Sequence, residues 1–435
     1  MGEIRRILVR SGKAPHQVVS PEAAFARRRL GTYAANAGNA IFTSAVYRHL
    51  NTPSVEVVSD GLTTERPGIT KRDIDRINDE FDVFVLPMAN SLRRSFYGGR
   101  ARLTRVIRRL RIPVVVVGVG AQLPLSGDFS RLAPEQNDEV RDFVAAVLDH
   151  SASFGVRGED TKRYLLSLGF ADTDIDVIGC PSMHDNGRDA VVAKSVDHLD
   201  ANSPVAVNVD HRVKGSSAIL TENWRRYPHL TFVSQNQAEA ALLMWGEPIP
   251  GYPAGMPATI DHPLYREDRI RFFQDPIMWR RFMAQQEFCA GSRLHGTIVA
   301  LTAGTPAMLF AHDSRTREVA EYHGIPYRPV REKGTWDLAE LYDGVDLTPL
   351  NTVRAENFDR YLAFIERNDL PHIFAEGNDN PEYAAQLEAA GHPEGIRPLT
   401  ANAPEQIASR LRWLWQGVEA DQHRARGAFR PEFEP

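Results

Sequence analysis

The densest concentration of side chains able to do chemistry is the run Gly291-Ser292-Arg293-Leu294-His295-Gly296. It follows an apolar stretch ending near Ala290 and opens another with helical spacing, so it stands where a strand hands over to a helix. Ser292 suits the N-cap of that helix, since a hydroxyl can accept from a free first-turn N–H. The other free N–H groups, up to Gly296, and the Arg293 guanidinium would then hold a phosphate or carboxylate. His295 falls in the first turn, where the positive helix end and Arg293 disfavour the imidazolium until an anion binds. That makes His295 the candidate general acid/base. The same spacing also permits a structural reading, in which Arg293 pairs with a carboxylate and His295 hydrogen-bonds within the core.

A second signal is Phe154-Gly155-Val156-Arg157-Gly158-Glu159-Asp160, which places Arg157 at a strand's carboxyl end. Ligands collect outside that edge in open α/β sheets, so Arg157 can meet an anion; an ion pair with Glu159 or Asp160 is its alternative use. The run Asn36-Ala37-Gly38-Asn39-Ala40 precedes a helix and lets backbone approach a ligand at Asn36, Gly38 and Asn39, or forms an ordinary turn. Gly118-Val119-Gly120 also follows a strand, and Gly120 is a further candidate contact. Leu123 occupies the third glycine position of a dinucleotide fingerprint, which weakens a Rossmann cofactor reading. His262, His312 and His323 lack zinc-site spacing, and neither HExxH nor GxSxG occurs. The expectation is a site without metal or cofactor.

Such residues need rigid supports, and the hydrophobic pattern supplies them. Short β-branched runs at residues 4–9, 55–58, 83–86, 114–117 and 153–156 alternate with helical patterns at 40–50, 102–110, 135–150 and 159–168. Alternation of this kind predicts a parallel sheet covered by helices on both faces. In the helix from Ala40, one largely apolar stripe of Phe42, Ala45, Val46 and His49 should pack on that sheet. A mostly polar stretch follows Asp185, after which strands at 205–209, 230–233, 287–290 and 307–310 alternate with helices at 237–244, 276–284, 294–303 and 316–322. Helices at 357–367 and 404–415, with Trp413 and Trp415 free to pack, end the pattern, and residues 419–435 are mainly polar. The fold class is therefore α/β, two Rossmann-like domains with a cleft between them, over residues 1–185 and 204–347, with a helical extension over 348–435 that can brace both. The segment 246–263 holds Pro248, Pro250, Pro253, Pro257 and Pro263, a composition for a surface loop able to serve as a lid.

Length and composition agree. At 435 residues the chain exceeds what one core usually serves. A net charge of -5 gives no global field for nucleic acid, and the runs Arg27-Arg28-Arg29, Arg93-Arg94 and Arg108-Arg109 read as solvated faces. Two distant cysteines, Cys180 and Cys289, suit a reducing compartment. Residues 1–9 hold no signal-peptide segment and the most apolar run, 112–121, is too short to span a bilayer, so a cytoplasmic chain without an integral membrane segment is expected.

With these residues in place, the chain resembles the polysaccharide pyruvyl transferase family from about Ala35 to Ile325. The likeness rests on Asn36–Asn39, Gly118–Gly120, Val156-Arg157, Gly179–Pro181 and above all Ser292-Arg293-Leu294-His295-Gly296, extended by Ala303-Gly304-Thr305-Pro306 and Asp313. The resemblance implies a fold similar to glycosyltransferase B. It also implies transfer of an enolpyruvyl-derived unit from phosphoenolpyruvate onto two hydroxyls of a sugar or glycan acceptor, whether free, nucleotide-bound or lipid-linked. Arg157 and Arg293 would hold the donor's phosphate and carboxylate, and His295 would move the proton. Two positions depart from the family's pattern: Asn39 stands where an acidic residue is common, and Arg315 where a lysine often follows Asp313, so Arg315 keeps the charge without a readily lost proton. Two other functions fit the same scaffold, a nucleotide-sugar glycosyltransferase and a ligand-binding relative without turnover.

Overall fold

The computed structural model describes residues 4–26, 36–130, 132–331 and 334–414. The arginine run 27–29, Trp415 and the segment 419–435 lie outside the described residues.

The first sheet is parallel, in the order β2-β1-β3-β4, from β1 (Arg5–Val9), β2 (Val55–Ser59), β3 (Val83–Pro87) and β4 (Val114–Val117). A parallel pair, β5 (Phe154–Val156) and β6 (Ile175–Val177), continues it beyond β4 through a bridge between Val119 and Val156. Both faces are buried, which is why runs such as Val114–Val117 are apolar without alternation. Leu8, Phe84, Leu86, Val114 and Val116 pack under the helices Lys71–Glu80, Tyr97–Ile107, Pro134–Leu148 and Glu159–Ser167. On the other face Ile7, Val9, Val57, Val85, Val115 and Val117 meet Val46, Tyr47 and Leu50 of the helix Asn39–Leu50 and Tyr361, Phe364 and Ile365 of the helix Thr348–Arg367.

Residues 185–204 form neither helix nor strand and lead to the second sheet. Its strands are β7 (Val205–Asn208), β8 (Leu230–Ser234), β9 (Ile270–Phe272), β10 (Phe288–Gly291), β11 (Ala307–Ala311) and β12 (Tyr327–Pro329), all parallel in the order β12-β11-β10-β7-β8-β9. Helices Pro276–Met283, Leu294–Thr302 and Ser314–His323 cover one face, and Gln237–Trp245 and Leu338–Asp343 the other. Two Rossmann-like α/β units thus face each other.

Several expectations change on contact with the structure. The helix Asn39–Leu50 does not present a single stripe to one sheet: nine of its residues are buried, with Ile41 and Phe42 in the core of the second unit and Val46, Tyr47 and Leu50 in that of the first. It bridges the units. None of residues 246–263 lines the cleft between the units, and the proline-rich segment packs on the second unit. Ile249 and Met256 are buried in the second core, the Ile249 N–H donates to the Ala258 carbonyl at 2.8 Å, and Tyr252 donates to Glu239. The last helices pack backwards in the chain: Thr348–Arg367 covers the first sheet, and Trp413, in a helix over 404–414, stacks on Trp245.

Candidate active site

In a parallel sheet the crevice for a ligand opens where successive connections leave in opposite directions, at the carboxyl ends of two adjacent strands. The strand orders put those points between β1 and β3 in the first sheet and between β7 and β10 in the second. Loops after all four strands line one cleft of about 610 Å³: Arg10 and Lys13 after β1, Asn90 and Arg93 after β3, Asp210 and Arg212 after β7, Arg293 and His295 after β10. Asn36, Asn39, Phe42 and, after β11, His312 and Arg315 complete its floor.

His295 sits where the two units touch. Its Nε2 lies 3.4 Å from Nη1 of Arg157, and the Phe42 ring lies 5.4 Å from the imidazole and 5.0 Å from the Arg157 guanidinium. Burial first, then the charges of Arg157, Arg315 and Arg293, hold the imidazole well below its ordinary pKa, so it is neutral at neutral pH. Arg157 itself is fully buried and does not line the cleft; its Nε and Nη2 donate to the Gly118 and Met88 carbonyls. It pairs with neither Glu159 nor Asp160, and Asp160 is held by Arg163 and Arg317. The side-chain neighbour of Arg157 is instead the imidazole of His295.

Around Arg293 the structure corrects the capping expectation. Ser292 is not the N-cap: the helix begins at Leu294 with Arg293 in the cap position, and the buried Ser292 hydroxyl accepts from the Asp210 N–H at 2.9 Å. Ser292 therefore fastens the loop after β7 to the loop after β10 and does not face the cleft. Gly296 is equally internal, because a Cβ there would lie 2.6 Å from Asn208 Cγ and 2.8 Å from Gln235 Nε2. Arg293 lines the cleft with Nη1 3.3 Å from Asp210 Oδ2, Nη2 donating to Asn236, and a buried Nε without a partner. Burial acts to raise the Asp210 pKa, yet its Arg212 hydrogen bonds and the charges of Arg293 and Arg212 hold it down to about 2.

The glycine loop reaches across the units. The Ala37 N–H donates to the Gln235 carbonyl at 3.2 Å, and Asn36 Oδ1 accepts from the Gly38 N–H at 2.7 Å. Gly38 does not line the cleft but abuts the imidazole, since a Cβ would come within 2.9 Å of His295 Cβ and Nδ1. Gly120 lies beneath Arg315, with its own absent Cβ 3.2 Å from Arg315 Cγ. Arg315 opens the helix Ser314–His323, its Nη2 3.5 Å from Asp313 Oδ2. Among the described residues no group of three or more His, Cys, Asp or Glu side chains is arranged to hold a metal ion.

The chain that builds this cleft matches the family model described as polysaccharide pyruvyl transferase over residues 36–314. The chain belongs to the polysaccharide pyruvyl transferase family. Among curated proteins no relative matches. Solved structures similar to this member include the UDP-GlcNAc 2-epimerase of Neisseria meningitidis bound to UDP-GlcNAc, at 11% identity and a TM-score of 0.38, covering 88% of this chain and 99% of that one. The Methanocaldococcus jannaschii UDP-GlcNAc 2-epimerase in complex with UDP-GlcNAc and UDP shares 11% identity over 83% of this chain and 99% of that one, with a TM-score of 0.40. HepE of Anabaena, in complex with UDP and glucose, shares 13% over 88% and 100%, with a TM-score of 0.38. In this transferase no helix of the described residues is long and apolar enough to cross a membrane.

Sequence reasoning missed Arg93, Asp210, Arg212 and the cleft position of His312. Asp210-His211-Arg212 follows a strand as Arg157 does, so the same carboxyl-end rule would have found it. Arg93, read from the sequence as part of a solvated face, is exposed, and it also lines the cleft.

Proposed function

We propose that the protein transfers a pyruvyl unit from phosphoenolpyruvate to two hydroxyls of a sugar or glycan acceptor, forming a cyclic ketal and releasing phosphate. One observation carries this reading: a neutral imidazole, His295, lies in a cleft beside Arg293 and Arg315, with Arg157 3.4 Å behind it. A donor dianion entering next to Arg293 and Arg315 offsets the positive field that keeps His295 unprotonated. The imidazole can then take the proton of an attacking hydroxyl and give a proton to the donor's methylene carbon. Protonation leaves an electrophilic carbon of oxocarbenium character; one hydroxyl adds to it, the C–O bond to phosphate breaks, and the second hydroxyl closes the ring as its proton is lost. The guanidiniums stabilise the departing phosphate. In this scheme Arg157 is a positioning residue that acts through His295, while Arg293 and Arg315 touch the donor. The two buried, unpaired cysteines, Cys180 and Cys289, support a cytoplasmic setting for this chemistry.

The test incubates the protein with phosphoenolpyruvate and a panel of free, nucleotide-linked and lipid-linked sugars, following phosphate release and product mass. Acceptor-dependent phosphate release and a product carrying the pyruvate ketal are expected. Phosphoenolpyruvate left intact with every acceptor, alongside turnover of a nucleotide-sugar as glycosyl donor, would overturn the reading.

A further inference from the structure

The cleft holds more positive charge than a three-carbon donor needs. Six cationic side chains line it, Arg10, Lys13, Arg93, Arg212, Arg293 and Arg315, against the carboxylates of Glu65, Asp210 and Asp275. Arg10 is matched by Glu65, and Lys13 by Asp275 at 3.0 Å. The remaining four guanidiniums share little. Asp210 serves two of them, with Arg212 Nε and Nη2 at 3.0 and 2.9 Å and Arg293 at 3.3 Å. Arg315 touches Asp313 only at 3.5 Å and keeps a buried Nε without a partner. Arg93 makes no side-chain hydrogen bond or ion pair among the described residues.

The origin of these groups matters as much as their number. Arg93 stands on the loop after β3 of the first unit, whereas Arg212 and Arg315 follow β7 and β11 of the second. Arg93 is exposed to solvent, and it lines the same cleft as Arg212 and Arg315. Like charges brought together from two folding units repel, solvent screening the exposed Arg93 and Arg212, and an anion between them turns that repulsion into attraction. The donor's place in the proposed reaction is beside His295, and a cleft of about 610 Å³ is of a size that takes a drug-sized ligand, so space remains beyond it.

We infer that Arg93, Arg212 and Arg315 form a second anion subsite, spanning both units, which receives a phosphate or diphosphate carried by the acceptor. The inference rests on the proposed pyruvyl transfer and narrows its acceptor to a glycosyl phosphate or diphosphate rather than a neutral glycan. Arg315, between the two subsites, faces both substrates, whereas Arg93 faces the acceptor alone. Nucleotide-linked and lipid-linked sugars share this chemistry.

Calorimetric titration of the full chain with inorganic pyrophosphate, with and without saturating phosphoenolpyruvate, tests the subsite directly. Pyrophosphate binding in the presence of the donor is expected, weakened about tenfold or more in Arg93→Gln, as loss of a charge-assisted hydrogen bond implies. Donor affinity in that variant should stay within about twofold by the same reasoning, since Arg93 makes no donor contact. Mutually exclusive binding of pyrophosphate and phosphoenolpyruvate, or equal loss of both in the variant, assigns the cluster to the donor and overturns the inference. In transfer assays with a hexose, its 1-phosphate, its nucleotide diphosphate and its polyprenyl diphosphate, preference for phosphorylated acceptors that Arg93→Gln abolishes supports it, and the last two arms separate the sources. Preference for the free hexose overturns it. Phosphoenolpyruvate turnover with no acceptor at all would sink the pyruvyl-transfer reading, while the pyrophosphate titration would still report on the subsite.

Discussion

Replacing Arg157 with methionine removes a buried charge 3.4 Å from His295 Nε2 while filling similar space. Two full charges at that separation repel by about 5 kcal/mol at an effective dielectric of about 20, equivalent to between three and four pKa units. The guanidinium spreads its charge over three nitrogens, and burial, the largest cause of the depression, remains, as do Arg315 and Arg293. The His295 pKa is therefore expected to rise by clearly less than that full-charge figure and to stay below that of an exposed imidazole. A pH titration of histidine-labelled protein by NMR, with the His295 signal identified through His295→Gln, measures it. The variant also orphans the Gly118 and Met88 carbonyls, at about 1–3 kcal/mol each, so its Tm should fall. An unmoved His295 titration in a folded variant would refute the electrostatic coupling of the two units and leave Arg157 a purely structural residue.

Other expected outcomes follow from the same contacts. Gly38→Ala drives a methyl against His295 Cβ and Nδ1, so kcat should drop far more than Tm; parallel loss of both would show that the loop, not the ring, bears the strain. Gly291→Ala meets the Asn208 carbonyl at 2.0 Å and should prevent folding, detectable as loss of soluble protein, whereas Ala290→Gly, at the neighbouring position, should be milder. Binding of phosphoenolpyruvate should take up a proton, because the dianion raises the depressed His295 pKa; affinity then weakens as pH rises through the bound-state pKa, and calorimetry in buffers of different ionisation enthalpy should show no uptake in His295→Ala. Burial pushes the Glu318 carboxyl up to about 7 from 4.5 against the opposing hydrogen bonds from Thr161, so the folded chain holds a proton that the unfolded chain has released across that window. Stability should fall by up to about 3 kcal/mol as pH rises through it, and Glu318→Gln should flatten the Tm profile; identical profiles would deny the shift.

Strands with apolar, β-branched runs, such as Val114–Val117, were legible because burial on both faces leaves no polar alternation to confuse the pattern. β6, β9 and β12 were not, since each is three residues long with a charged side chain in the middle, Asp176, Arg271 or Arg328, whereas the equally short β5 carries no charge. The helix Lys71–Glu80 buries only Ile74 and Ile77, though its Thr70–Asp73 capping box was there to be read. At the site, the strand-to-helix junction made Arg293 and His295 visible. Ser292 was misassigned because a serine before a helix looks the same whether its hydroxyl caps that helix or, as here, binds Asp210 at the end of the neighbouring strand. Long-range use of a short side chain leaves no local trace.

The helix Thr348–Arg367 has a consequence for how the molecule is made. The first sheet leaves the ribosome early, but Tyr361, Phe364, Ile365, Tyr383 and Leu387, which roof one of its faces, are synthesised after the whole second unit. Until the carboxyl-terminal segment arrives, the amino-terminal half has only the helix Asn39–Leu50 over that face, and part of its valine surface stays bare to solvent. Truncation near residue 347 should yield a sticky, aggregating product, and a nick within 185–204 should leave two fragments that stay together, each completing the other's interior.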